Sequence, residues 1–206
     1  TLGILGESGC GKSVTGFSLL QLIQPPGKIV KGSIMYHPDN GKILDIAKLE
    51  PRGKTIRNLR GGDIGMIFQE PMTSLDPLYS VGQQLREAIL QHHPMSKWEA
   101  RAESIALLKK VGLPQPDEMI DRYPHQLSGG QRQRVMIAIA LSCQPSLLIA
   151  DEPTTALDVT TEAQIIDLLK SLQQDLGMAM IFITHDLGVI AEVADEVIVM
   201  YLGKIV

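Results

Sequence analysis

Eight residues near the start of the chain constrain its fold more than any others: Gly6-Glu7-Ser8-Gly9-Cys10-Gly11-Lys12-Ser13, in the spacing G-x-x-x-x-G-K-[ST]. An apolar run, Leu2–Leu5, precedes them and reads as a strand. Lys12–Ile23 follows and reads as a helix that stops before Pro25-Pro26, because proline cannot continue one. A glycine-rich turn between strand and helix lets backbone N–H groups curl around phosphate, and the helix start adds a partial positive charge. Lys12 then reaches the terminal phosphates, and Ser13 can ligate a divalent cation. Cys10 reads as a small residue tolerated within the loop.

The rest of the chain keeps alternating strand and helix signals. Ser33–Tyr36 and Ile64–Phe68 read as strands, and the polar stretch from Pro38 to Gly62 as a loop-rich insertion. Ser80-Val81-Gly82-Gln83, Ser96-Lys97-Trp98-Glu99 and Ser128-Gly129-Gly130-Gln131 each match the capping box that opens a helix. Gly112 can end the second helix. The third runs nearly all apolar to Cys143 and should be buried on most sides. Leu147–Ala150 is a continuous apolar strand ending in Asp151-Glu152. In Thr161–Leu176, residues Ile165, Leu168, Leu169, Leu172 and Leu176 share one helical face, and Gly177 is the expected stop. Ala179–Ile183 and Val197–Tyr201 are further strands, with a helix from about Asp186 to Ala194 between them. This alternation predicts an α/β fold with a mainly parallel sheet covered on both faces, and a helical lobe inserted at about 81 to 130.

Composition sets the class. The chain has 206 residues, 44% of them apolar and 20% charged, with a formal charge of −4, which excludes disordered and fibrous readings. The mild acidity argues against a dedicated nucleic-acid binder. The longest apolar run, Val135–Leu141, is too short to span a bilayer. Two isolated cysteines, Cys10 and Cys143, form neither a disulfide framework nor a metal cluster, so a reducing cytoplasm is expected. Thr1 opens directly into a strand and Val206 closes without a polar tail, so the chain reads as most of a domain cut at both ends.

Further positions carry possible chemistry. Beside a phosphate loop, Asp151 would hold Mg²⁺ through its water shell, and Glu152 would orient the attacking water or take its proton; alone, the pair could merely cap a turn. Two glycines at the Ser128 helix start leave backbone N–H groups open to an anion, so the chain has two anion-binding helix starts. The second could complete a partner's site, and a twofold dimer would then share two sites. Gln69 follows the strand Ile64–Phe68, where its side chain could watch the metal or the water; taken alone, an ordinary loop glutamine is the better reading. His185 ends another strand, on the edge where open parallel sheets bind ligands, and its imidazole can donate to a γ-phosphate. Asp158 is by default a helix-entry carboxylate.

Taken together, these motifs resemble those of ABC-type ATPases, in the family's order and across essentially the whole chain: the P-loop Gly6–Ser13, the Q-loop Gln69, the signature Leu127–Gln131, the Walker B strand with Asp151 and Glu152, a D-loop at Thr155–Asp158 and the switch histidine His185. A finer resemblance is to the ATPase subunits of dipeptide/oligopeptide/nickel importers, carried by Phe68–Pro77, Tyr123–Ala138 and Glu152–Val159, with a Gln-Leu-Ser-Gly-Gly signature like that of the first ATPase of such pairs. The catalytic motifs show no departure. The family's early strands with their adenine-stacking aromatic, and the subgroup's C-terminal extension, would lie outside this segment.

The resemblance implies a single P-loop NTPase (RecA-like) nucleotide-binding domain over 1–206 with the helical subdomain at 81–130. It implies ATP bound by Gly6, Glu7, Ser8, Gly9, Cys10, Gly11, Lys12, Ser13 and Val14, and Mg²⁺ at Ser13, Gln69 and Asp151. Glu152, His185 and Gln69 would serve catalysis. Ser128, Gly129, Gly130 and Gln131 would act on the partner's ATP, with Asp158 at the dimer interface. The expected partners are a second ABC ATPase, permease subunits and, indirectly, a periplasmic or extracellular solute-binding protein, at the cytoplasmic face of the membrane and without nucleic acid. The expected work is solute import, of peptides above all. A soluble ABC ATPase of translation or DNA repair is the alternative; such proteins usually carry two cassettes or long insertions, and many are basic. A cassette that regulates without hydrolysing is a third reading, against which Glu152 and His185 argue.

Overall fold

A computed structural model of the chain describes residues 1–38, 41, 43–69 and 74–206. Part of the Phe68–Pro77 resemblance, Glu70 to Thr73, and part of the Pro38–Gly62 stretch lie outside the described residues. Six strands form the main sheet: β1 (Leu2–Gly6), β4 (Ile64–Ile67), β5 (Leu147–Asp151), β6 (Ala179–Thr184), β7 (Glu196–Tyr201) and β8 (Lys204–Ile205). Their spatial order is β4-β5-β6-β1-β7-β8, parallel except for the final β7–β8 pair. Ile4 of β1 lies opposite Ile183 of β6 on one side and Ile198 of β7 on the other.

Successive strand residues feed opposite faces, as the pleat requires. Ile67, Leu148, Ala150, Met180 and Phe182 join one apolar cluster; Met66, Ile149 and Ile183 join the other. The first cluster is completed by α3 (Val81–His92), α4 (Lys97–Lys110), α6 (Gly129–Ala140), α7 (Val159–Leu176) and α8 (Leu187–Val193). The second lies under Leu20, Ile46, Ile56 and Leu59, next to α1 (Lys12–Leu19) and α2 (Lys54–Asn58). Both faces are therefore covered, which is why β5 tolerates an unbroken apolar run.

The helices open as their sequences predict. Ser80, Ser96 and Ser128 cap α3, α4 and α6, each in a reciprocal box with Gln83, Glu99 and Gln131. Gly177 ends α7 in the left-handed conformation, with φ 62°. A short α5 (Pro116–Met119) follows α4.

Several boundaries differ from expectation: among them, the Ser33–Tyr36 strand is only Met35–Tyr36, and the helix expected from Thr161 begins at Val159. Helix α1 ends at Leu19, not Ile23. Gln21 turns left-handed there (φ 52°), and the Arg60 guanidinium takes the carbonyls of Leu20 and Gln21 at 2.7 and 2.8 Å, replacing the next helical turn. The Pro38–Gly62 stretch is not merely loop: a two-residue strand β3 (Leu44–Asp45) pairs antiparallel with β2 (Met35–Tyr36), and α2 follows. Helix α6 ends at Ala140, three residues short of Cys143.

Candidate active site

Because the strands are parallel, the C-terminal ends of β1, β5 and β6 lie on one edge of the sheet, and the chemistry-bearing residues collect there. The loop from Gly6 to Gly11 leaves β1 and enters α1. Gly6 is required by close approach: a Cβ there would sit 2.4 Å from the Met200 carbonyl oxygen and 2.7 Å from Cys10 Sγ. Gly11 holds φ 106°, a conformation that L side chains avoid, and no side chain caps the N-terminus of α1. The helix start therefore presents its N–H groups to an incoming anion. Lys12 is 4% exposed, and its ammonium donates to the carbonyls of Gly6 (2.7 Å) and Glu7 (3.0 Å).

Asp151 at the end of β5 is fully buried. Its Oδ1 accepts from Ser13 Oγ at 2.9 Å, while Oδ2 is buried without a partner. Burial pushes its pKa above the ordinary carboxylate range; the Ser13 hydrogen bond opposes this, the Glu152 charge adds to it, and Lys12 opposes it. An orphaned buried oxygen beside a serine hydroxyl fits a hard divalent cation. Among the described residues no cluster of three or more His, Cys, Asp or Glu could hold a metal. A cation here would take its remaining ligands from water and phosphate, the habit of Mg²⁺.

This arrangement makes a stability prediction. Asp151→Asn removes a charge whose burial is penalised, so the nucleotide-free variant should melt about 3 °C above the parent at neutral pH, on the scale of ~2–4 °C per kcal/mol for a domain this size. The sign follows from the raised pKa: the penalty grows as pH climbs through the folded-state value and vanishes below the unfolded one. The gap between the two chains should close on acidification, as read by scanning calorimetry. A variant that melts lower at neutral pH would show that the carboxylate supports the loop.

Glu152 is 8% exposed and holds a left-handed backbone, φ 45°, while its N–H pairs with the Ile183 carbonyl at 2.9 Å. Its Oε1 lies 3.9 Å from Lys12 Nζ and 3.3 Å from His185 Nδ1. Its Oε2 accepts from Gln69 Nε2 at 3.1 Å. Residues from three other segments thus converge on one carboxylate. Thr155 Oγ1 also donates to Oε2, at 2.9 Å. Residue reading assigned Thr155 no role of its own; the available signal was a hydroxyl three positions past Glu152, across a proline-containing turn.

The second glycine-rich helix start lies apart from this cluster. Ser128, Gly129, Gly130 and Gln131 border a cavity of about 440 Å³ with Leu157, Asp158 and Thr161; it shares no residue with the cavity of about 720 Å³ lined by Gly6, Glu7, Ser8, Glu152 and His185. A Cβ on Gly130 would meet Thr161 Cγ2 at 2.8 Å, whereas one on Gly129 finds only ordinary contact, 3.6 Å from Leu157 Cδ2. Asp158 caps α7, its two oxygens accepting from the Thr161 N–H (3.0 Å) and hydroxyl (2.7 Å), and these bonds hold its pKa low. Cys10 is buried inside the first loop.

A phosphate loop on a parallel sheet with a buried acidic strand end against its serine defines a P-loop nucleotide-binding protein. The model of the ABC transporter family matches residues 1–155, and the chain belongs to that family. It is 54% identical over 205 residues to the glutathione import ATP-binding protein GsiA of Pectobacterium atrosepticum, covering 99% of this chain and 33% of that protein. It is 53% identical to the dipeptide transport ATP-binding protein DppD of Bacillus subtilis, covering 99% and 59% respectively. The chain therefore spans between a third and three-fifths of the length of these curated relatives. Among solved structures, the dimeric post-hydrolysis state of the ATP-binding cassette MJ0796, bound to ADP and Pi, aligns with a TM-score of 0.80 at 32% identity, over 99% of this chain and 82% of that one. Among the described residues no helix is long and apolar enough to cross a membrane.

Proposed function

We propose that this chain is the ATP-hydrolysing cassette of an importer of peptides or peptide-like solutes, working as one of two cassettes beneath permease subunits at the cytoplasmic face of the membrane. The observation that carries the reading is the Glu152 carboxylate, buried at the meeting point of Lys12, Gln69 and His185 beside the phosphate loop. The names of the relatives, glutathione import and dipeptide transport, support the solute class.

In this reading Lys12 exchanges the Gly6 and Glu7 carbonyls for phosphate oxygens, and the uncapped start of α1 holds the rest of the phosphate charge. Glu152 orients a water toward the γ-phosphorus. The water oxygen bonds to phosphorus, the bridging P–O bond breaks with its electron pair leaving on ADP, and the water's proton passes to Glu152. Gln69 and His185 stand at the two carboxylate oxygens and guide the water's approach. Mg²⁺, held by Ser13 and Asp151, would neutralise charge on the phosphates. The signature helix start would serve the partner's nucleotide, Asp158 would lie at the junction of the two cassettes, and residues 81–130 would form the lobe facing the permease.

The direct test is Lys12→Ala. With the ammonium gone, ATP affinity and phosphate release should both fall by about tenfold or more, the weight of roughly 1.4 kcal/mol or above expected for a buried charge-assisted contact. Equilibrium binding and phosphate release in the full-length protein read this; parental turnover in the variant would remove the phosphate-loop assignment.

A further inference from the structure

The two oxygens of Glu152 keep different company. Oε1 faces Lys12 and His185, whereas Oε2 accepts two hydrogen bonds, from Gln69 and from Thr155. A backbone turn brings the Thr155 hydroxyl to Oε2. Residues Glu152-Pro153-Thr154-Thr155 form a turn closed by the Thr155 N–H on the Glu152 carbonyl at 3.2 Å, with Pro153 at the position proline favours. The turn is pinned from the other side by Thr154 Oγ1 on Glu162 Oε1 of α7, at 2.7 Å.

We propose that Thr155 is a positioning residue for hydrolysis: its hydroxyl locks the Glu152 carboxylate so that Oε1, not Oε2, is the oxygen offered to the water. The inference rests on the ATPase reading above. A glutamate side chain has three torsions, and the last of them is soft. One hydrogen bond to Oε2 leaves the carboxylate free to swing about that contact; a second donor, from a different direction, stops it. The need is greater here because Glu152 also carries a left-handed backbone, a conformation that persists only when surrounding bonds over-determine it. Thr155 acts through Glu152 and needs no contact with nucleotide. It differs in this from Gln69, which reaches Oε2 from the end of another strand.

The experiment uses the full-length protein with Thr155→Val, Thr155→Ser, Glu152→Ala and the T155V/E152A pair. Valine keeps the shape of threonine and removes only the hydroxyl. T155V should lower kcat by ~10- to 100-fold, the scale of a misplaced catalytic group. KM and the Mg–ATP dissociation constant should stay within about twofold, and T155S should restore most of the rate. In the E152A background T155V should cost nothing further, either in turnover or in the urea midpoint of unfolding, because no carboxylate remains to be held. A parental kcat in T155V would overturn the proposal, as would an equal loss in both backgrounds or a serine variant as impaired as the valine one. If the parent releases no more phosphate than Lys12→Ala, the ATPase reading fails by itself. The unfolding midpoints then decide the hydroxyl–carboxylate bond: a T155V shift that disappears with E152A supports it, and an unchanged shift removes it.

Discussion

Glu152→Gln should abolish most hydrolysis, a loss of ~10²-fold or more, while leaving nucleotide binding intact or tighter. The geometry says why the substitution separates the two. A carboxamide can place its oxygen where Oε2 now accepts from Gln69 and Thr155, so the side chain stays anchored. Its nitrogen then stands where Oε1 faces His185 and Lys12, and it can take no proton from water. Removing the negative charge 3.9 Å from Lys12 also releases that ammonium from a competitor, which favours phosphate. ATP should consequently hold two cassettes closed, visible as a dimer peak in size-exclusion chromatography that the parent shows only transiently. Phosphate release and equilibrium ATP binding on the same preparation check the two halves. A variant that hydrolyses at the parental rate would move the catalytic role to Gln69 or His185.

The features legible in the sequence are those whose physics is local. The capping boxes at Ser80, Ser96 and Ser128 close over three residues, so the hydrogen-bond partners stand side by side in the chain. The strand at Leu147–Asp151 is apolar without a break up to Ala150 because both faces of its sheet are covered, and that too is written in consecutive residues. Asp158 has the capping role in its own helix that its position before Val159 suggests. By contrast, the end of α1 is set by Arg60, forty positions away, and the apolar pattern runs on past the true stop. Of the small β2–β3 pair, β2 lies within the expected Ser33–Tyr36 strand, but β3 has two residues, too short to leave a periodic trace. Within the site, residue types and motifs named the participants, but their contacts join distant segments: Ser13 to Asp151 across 138 positions, Gln69 to Glu152 across 83. The Thr155 contact is close in sequence yet was equally hidden, since a turn threonine has many ordinary uses.

The second large effect concerns how two cassettes share their sites. The helix start at Ser128–Gln131 borders an open, polar cavity that shares no lining residue with the cavity beside Glu152. If each nucleotide is held by one cassette's phosphate loop and the other's signature, then Lys12 and Gly129 of the same chain belong to different sites. Gly129→Asp is a suitable lesion. Its Cβ meets only ordinary contact in its own chain, and an acidic residue in the first turn of α6 suits the helix dipole, so the fold should survive. The same change at Gly130 would drive into Thr161 and confuse folding with function. Mixed dimers purified through two different tags allow two arrangements. With Lys12→Ala on one cassette and Gly129→Asp on the other, both defects fall in one composite site, and the second keeps every part. With both substitutions on one cassette, each site carries a lesion. Provided that one intact site turns over alone, the split arrangement should retain roughly half the parental ATPase rate, and the doubled arrangement about tenfold less than that, given the weight of a lost phosphate contact. A signature acting on its own chain's nucleotide predicts the opposite ranking, because the doubled arrangement would then leave the unmodified cassette whole. The order of the two rates, measured by phosphate release from the tagged dimers, therefore decides between a shared site and a private one without reference to their absolute values.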